Sequence, residues 1–294
     1  MKQAAVILAI FSSALWAAGV AMAASGQQGQ PASGQAPAAS TAPAQPAGKR
    51  PPQAKTQPEF DAWKAASANT DPAALEKAAD DFATKFPDSE LRILLYKNAM
   101  RAYQNANNSE KIEAMGRKVL ALDGDDPEAL NSVAEVIAGR THDSDIDKDQ
   151  RYAEGIKMAQ KALQTIDTDV SVPAGTSQQQ VDAYKASLRS RAYSTIGTIE
   201  YNQNNFAAAE GDFQKAIDAV PNDPYSLDVL HLALALDKQQ KYPEALKVAN
   251  RAVEMTQDNT PIGTPARRER DRLQQLTGAT IPAPAPAPAQ PPKN

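Results

Sequence analysis

From Pro58 to about Leu276 the apolar positions recur at helical spacing, and no run alternates with the period that a half-buried strand requires. This span therefore predicts helices almost throughout. The expected helix starts share one chemistry. Asp71-Pro72, Asp126-Pro127, Asp223-Pro224 and Thr264-Pro265 each set a capping side chain before a proline, whose missing N–H costs nothing in a first turn. Ser177 with Gln180 has the form of a capping box. The longest apolar stripe joins Val181, Tyr184, Leu188, Ala192, Ile196 and Ile199, and it predicts one helix over about 178–203.

Bulk alternates with near-absence of side chain in NNFAAAEGDFQKAIDAVPND, residues 204–223. The pattern returns 36 residues later in KYPEALKVANRAVEM, residues 241–255. Phe206 maps to Tyr242, Ala209 to Ala245, Phe213 to Ala249 and Ala216 to Ala252. Upstream, Tyr193, Ile196, Gly197 and Glu200 map to Val229, Leu232, Ala233 and Leu236. Self-similarity at a fixed period marks a repeat array.

Residues 193–221 resemble the tetratricopeptide repeat family, in which two antiparallel helices occupy about 34 residues. Tyr193, Ile196, Gly197, Phe206, Ala209, Phe213, Ala216 and Pro221 carry the resemblance; Glu200 departs from it, with Tyr201 one residue later. Looser units follow the same plan. Residues 75–86 offer Ala78 and Phe82, after a short first helix around Phe60 and Trp63. In residues 102–130, Ile112 and Gly116 stand for the alanine and aromatic, and residues 152–166 supply Tyr152, Gly155, Ala159 and Ala162. The resemblance implies an all-α solenoid over 58–276, with about five antiparallel helix pairs and a closing amphipathic helix at 264–276. Gly197 and Ala209 are then expected to face each other where the helices of one pair cross, with aromatics filling the wedge to the next pair.

Two segments break the period. GRTHDSDIDKDQR, residues 139–151, falls between the helices of the third pair. TDVSVPAGTS, residues 168–177, precedes the long helix, part of which is expected to extend beyond the stack or shield its edge.

Composition adds the flanks. The chain is 42% hydrophobic but only 5% aromatic, so alanine carries much of the apolar count and a core is built by close backbone approach. A short positive start, the apolar run AAVILAIFSSALWAAGVA and Ala21-Met22-Ala23 read as a secretory signal over residues 1–23; the alternative is an uncleaved membrane anchor. Residues 24–57 read as a disordered Ala/Pro/Gln-rich linker, and residues 277–294 as a Pro/Ala-rich tail of the same kind. There is no cysteine, which excludes disulfides, thiol catalysis and thiolate metal sites and fits an exported, periplasmic or secreted protein. Net charge is −4 with no basic stripe, so no nucleic-acid footprint is present, and no membrane span is expected after signal cleavage.

Catalytic chemistry is thin. The histidines are His142 and His231, neither within a nucleophile or metal-ligand signature, and no P-loop, dinucleotide turn or HExxH motif occurs. No enzyme activity and no cofactor are expected. His231 reads as a packed or half-exposed helix residue. Asp143, Asp145 and Asp147, with Glu154 at the twelfth position, echo a calcium loop. Lys148 occupies the position that needs glycine and Glu154 falls in a helix, so a solvated acidic loop is the stronger reading and a metal-binding or enzymatic insert the weaker one.

The repeat resemblance further implies a concave groove that binds a protein or peptide segment. Aligned on it, the inward positions are Lys97, Arg101, Asn131, Glu135, Arg191, Ser194, Thr198 and Tyr201. Arg101 and Thr195 stand where the family's two-carboxylate clamp has Asn and Arg, so a C-terminal carboxylate ligand is not supported. The expectation is a non-catalytic scaffold or adaptor of the bacterial periplasm or cell envelope; the plain alternative is an ordinary solvated helix face.

Overall fold

The computed structural model describes residues 49–173 and 175–278. Eleven helices make up the regular structure of the described residues, and no strand occurs among them. Five consecutive hairpins form the stack: α1 (Gln57–Ser67) with α2 (Pro72–Lys85), α3 (Arg92–Asn105) with α4 (Ser109–Leu122), α5 (Pro127–Arg140) with α6 (Lys148–Asp169), α7 (Gln178–Asn202) with α8 (Phe206–Ala219), and α9 (Ser226–Lys238) with α10 (Tyr242–Glu254). α11 (Gly263–Thr277) closes the stack against α10. The result is the TPR-like solenoid that the repeat pattern implied.

Local chemistry sets several helix starts. Asp71 accepts from the Ala74 N–H and Asp126 from the Ala129 N–H, each at 2.8 Å, with the proline next in line. Ser177 and Gln180 form both halves of a capping box. Two expected starts move. Asp223-Pro224 belongs to the turn before α9, because the Asp223 N–H is bonded back to Val220 O at 3.1 Å. Thr264-Pro265 lies inside the first turn of α11, and Thr260 accepts from the Gly263 N–H at 2.9 Å.

Three hairpins turn by the same device. Asn107, Asn204 and Gln240 adopt φ of 54°, 63° and 62°. In each case the next residue's N–H reaches back to the carbonyl five residues earlier: Asn108 to Tyr103, Asn205 to Glu200 and Lys241 to Leu236. This is the Schellman closure, which satisfies helix-end carbonyls through one left-handed residue.

The small residues pack as spacers. Gly197 faces most closely the ring of Phe213, where an added Cβ would lie 3.0 Å from two ring carbons. The flat ring therefore packs directly on Gly197 at the crossing within this pair. Phe213 also reaches His231 of α9, 5.2 Å between ring centroids, so one side chain serves both the crossing and the wedge to the next pair. Ala209, Ala216, Ala233, Ala245 and Ala252 are all fully buried. Ile196 is buried, while Tyr193, Phe206 and Tyr242 are half-buried and Pro221 is exposed.

The period breaks also resolve. Both α6 and α7 are long, and their extra turns pack on each other through Ile166, Val170 and Leu188, with Tyr184 and Val172 alongside. The extra length of α7 thus makes a longer hairpin with α6, where an overhang or edge shield was expected; the apolar stripe continuing to Val170 is the physical reason.

The linker boundary expected at residue 57 also shifts. Residues 49–55 run along the loop edge of the stack. Lys55 donates to Asp88 O at 2.7 Å, Arg50 grips Glu90 at 2.7 and 2.9 Å, and Lys49 reaches Asp123 at 2.6 Å and Asp169 at 3.5 Å. The expected signal over 1–23, the rest of the linker and nearly all of the 277–294 tail lie outside the described residues. Among the described residues no helix is long and apolar enough to cross a membrane.

Candidate functional site: the concave groove

The first helices of successive hairpins line a groove of about 1870 Å³. Its wall is set by helical spacing. Lys97 and Arg101 stand one turn apart on α3, Glu128, Ser132 and Glu135 occupy successive turns of α5, and Tyr184, Arg191 and Thr198 recur along one face of α7.

Glu128 is the hub of this wall. It accepts two bonds from Arg101, at 2.5 and 2.6 Å, and one from the Tyr184 hydroxyl at 3.0 Å. Lys97 lies 3.0 Å from Glu128 and 2.6 Å from Asp126. Burial alone would raise the Glu128 carboxyl, but Arg101 and Lys97 outweigh it and hold the group well below the usual carboxylate range. Burial would also lower Lys97 and Arg101, and the facing carboxylates push both upward instead. One repeat further on, Arg191 makes a two-pronged contact with Glu135, 2.7 Å at each prong.

This geometry changes the meaning of several expected groove residues. Lys97, Arg101, Glu135 and Arg191 do line the groove, yet each is already committed to an internal pair. Their charges join the hairpins to one another. Asn131 is a correction: it is 0% exposed, and its Nδ2 donates to Leu188 O at 2.9 Å, tying α5 to α7 away from the groove. Ser194 donates to Asp228, Thr198 donates to Ser194 O at 2.8 Å, and Tyr201 packs edge-on against Phe206.

Sequence reasoning missed Tyr184, Asp228 and the lining role of His231. Tyr184 was visible as a member of the α7 stripe. Asp228 and His231 stand one turn apart in SLDVLHLALALD, where two polar residues interrupt an apolar run. Among the described residues, seven buried side-chain polar atoms have no hydrogen-bond partner, and four belong to residues lining the groove: Trp63 Nε1, Ser67 Oγ, Asp228 Oδ2 and His231 Nδ1. Burial pushes Asp228 up to about 7, with a further push from Glu135, against the hydrogen bond from Ser194. Burial pushes His231 down to about 4.

The acidic insert forms no convergent carboxylate site. Asp145 accepts from the His142 N–H at 2.9 Å, Asp143 lies 3.6 Å from Lys148, and Asp147 precedes α6 without a side-chain cap bond. Glu154 is drawn away to Arg117 at 2.9 Å. No group of three or more His, Cys, Asp or Glu among the described residues is placed to hold a metal ion.

The tetratricopeptide repeat family matches residues 190–219, the second half of α7 with α8. Fold and match agree: residues 190–219 carry a tetratricopeptide repeat within a TPR-like α-solenoid, an architecture that supports protein–protein interaction in general. The chain is similar to the solved structure of PilF from Pseudomonas aeruginosa, at 16% identity over 76% of this chain and 96% of that one, with a TM-score of 0.48. It is similar to a double mutant of MamA RS-1, at 15% identity over 70% of this chain and 100% of that one, TM-score 0.47. A thermophilic tetratricopeptide repeat protein of Thermus thermophilus shows 12% identity over 74% and 98% of the two chains, TM-score 0.43. No curated protein sequence matches the chain.

Proposed function

We propose that the protein is a non-catalytic scaffold that holds an extended segment of a partner polypeptide in its concave groove, outside the cytoplasm in the periplasm or cell envelope. The groove itself carries this reading. At about 1870 Å³ it exceeds the ~300–1,000 Å³ of small-molecule sites, and it suits a length of chain. Its unpartnered polar atoms match what a polypeptide brings, since every backbone unit supplies a donor and an acceptor. Export rests on the leader pattern of residues 1–23 and the absence of cysteine.

Site-specific photo-crosslinking tests the groove. A photoreactive residue at Leu94 or Thr198, both lining it, is expected to capture a partner chain in intact cells. The same group at Gln214 or Lys247, exposed on α8 and α10, is expected to capture none. Equal capture from all four positions would refute a groove-bound partner. Mass spectrometry of the native N-terminus tests export: a chain starting near Ala24 supports cleavage, and one starting at Met1 supports the anchor reading.

A further inference from the structure

We propose that Asp228 is the anchor for a lysine or arginine side chain of the polypeptide held in the groove, an inference that rests on the groove reading above. Asp228 sits in the first turn of α9 and is 2% exposed. Its Oδ1 accepts from the Ser194 hydroxyl of α7, while its Oδ2 has no partner. Other groove carboxylates have a cation: Asp126 has Lys97, Glu128 has Arg101, and Glu135 has Arg191. Among the described residues Asp228 forms no ion pair.

The groups around it supply no positive charge. From α5, Glu135 adds a negative one, and Arg191 of α7 is spent on Glu135. From α9 itself, His231 stands one turn on, its Nδ1 unpartnered, and burial favours its neutral form. An isolated buried carboxylate is costly, and the arrangement is short of one cation. Leu227, Tyr225 and Leu234 also line this end of the groove and offer apolar surface to the methylene stem that lysine and arginine carry behind their charge. With no cation present, burial raises Asp228 to about 7, so near neutral pH a share of the molecules hold its proton; an arriving ammonium or guanidinium favours the ionised form, and that proton leaves to the buffer.

The experiment uses the purified full chain and three pools of acetylated, amidated dodecapeptides. Each pool has arginine, lysine or glutamine fixed at the centre, with flanks randomised over Ala, Gln, Pro, Ser and Leu. Calorimetry in two buffers of different ionisation enthalpy reads affinity and proton release together. The arginine and lysine pools are expected to bind about tenfold tighter than the glutamine pool, the size of one charge-assisted hydrogen bond. Binding near pH 7 is expected to release about half a proton, and more at pH 6. Asp228→Asn, which keeps the acceptor for Ser194, should abolish both the preference and the release. Asp228→Glu should retain the preference for cations. A cationic preference that survives Asp228→Asn, or three pools that bind alike, would overturn the anchor and leave the groove reading standing. If no pool binds, the groove reading falls and the anchor falls with it.

Discussion

Replacing Glu128 with glutamine removes one charge and almost no volume, so it isolates the electrostatic role of the hub. The native carboxylate is 7% exposed and accepts from Arg101 twice and from Tyr184 once, with Lys97 3.0 Å away. In Glu128→Gln the amide nitrogen faces donors, and Arg101 is left beside a buried site without its counter-charge. Breaking a buried pair from one side costs about 3–5 kcal/mol. Lys97 keeps Asp126, and Arg101, at 39% exposed, regains some water, so the expected loss is near the lower end, about 3 kcal/mol. Urea unfolding followed by circular dichroism reads it. Because the hub joins α3, α5 and α7, the transition should also broaden as neighbouring hairpins uncouple. Adding Arg101→Met should recover part of the loss by removing the stranded charge. The sign with pH follows from the depressed carboxyl: its contribution is present above the unfolded value of roughly 4 and fades as pH falls toward the folded one. A loss below about 1 kcal/mol at pH 7, or a double variant no more stable than the single, would refute the hub.

Two glycines of α4 and α8 should respond oppositely to alanine. A Cβ on Gly116 would meet Val133 Cγ2 at 2.6 Å, and Gly116→Ala is expected to cost about 1–3 kcal/mol in thermal unfolding. Gly211 has nothing within 4 Å, and Gly211→Ala should gain about 0.5–1 kcal/mol. Gln240 holds φ of 62° without the advantage of Asn or Gly, so Gln240→Gly should raise the melting temperature by the equivalent of about 0.5–1 kcal/mol. Asp228 and Glu200 are each pushed up to about 7, first by burial, and Glu200 also by its hydrogen bond with Asp212. Both folded values exceed the unfolded ones, so their contribution is full below roughly pH 4 and is lost as pH rises through 7. Urea midpoints at pH 5 and pH 8 should therefore differ less in Asp228→Asn/Glu200→Gln than in the parent; an unchanged difference would refute the assignment.

The hairpin plan was legible because it is written in local chemistry: Asp71 and Asp126 before prolines, the Ser177–Gln180 box, and small residues at 197, 209, 233 and 245. The partner of Gly197 was not legible, since spacing tells which face a residue occupies but not which ring lies across it. The expected groove residues other than Asn131 line the cavity, yet their pairing was hidden. Lys97 and Arg101 look like free recognition charges until α5 brings Asp126 and Glu128 against them from 29 and 27 residues away. The edge-bound stretch 49–55 was hidden for a related reason. Its composition is that of a linker, and what fixes it is a set of carboxylates and a carbonyl spread across three later loops.

The left-handed residues at 107, 204 and 240 act as a gear setting. An α-helix advances about 100° per residue, so one residue added at Asn204 would swing α8 by that angle and carry Phe213 off Gly197. Length is therefore locked in these hairpins. Between α5 and α6, where no such left-handed residue sets the angle, the chain makes a seven-residue excursion, residues 141–147.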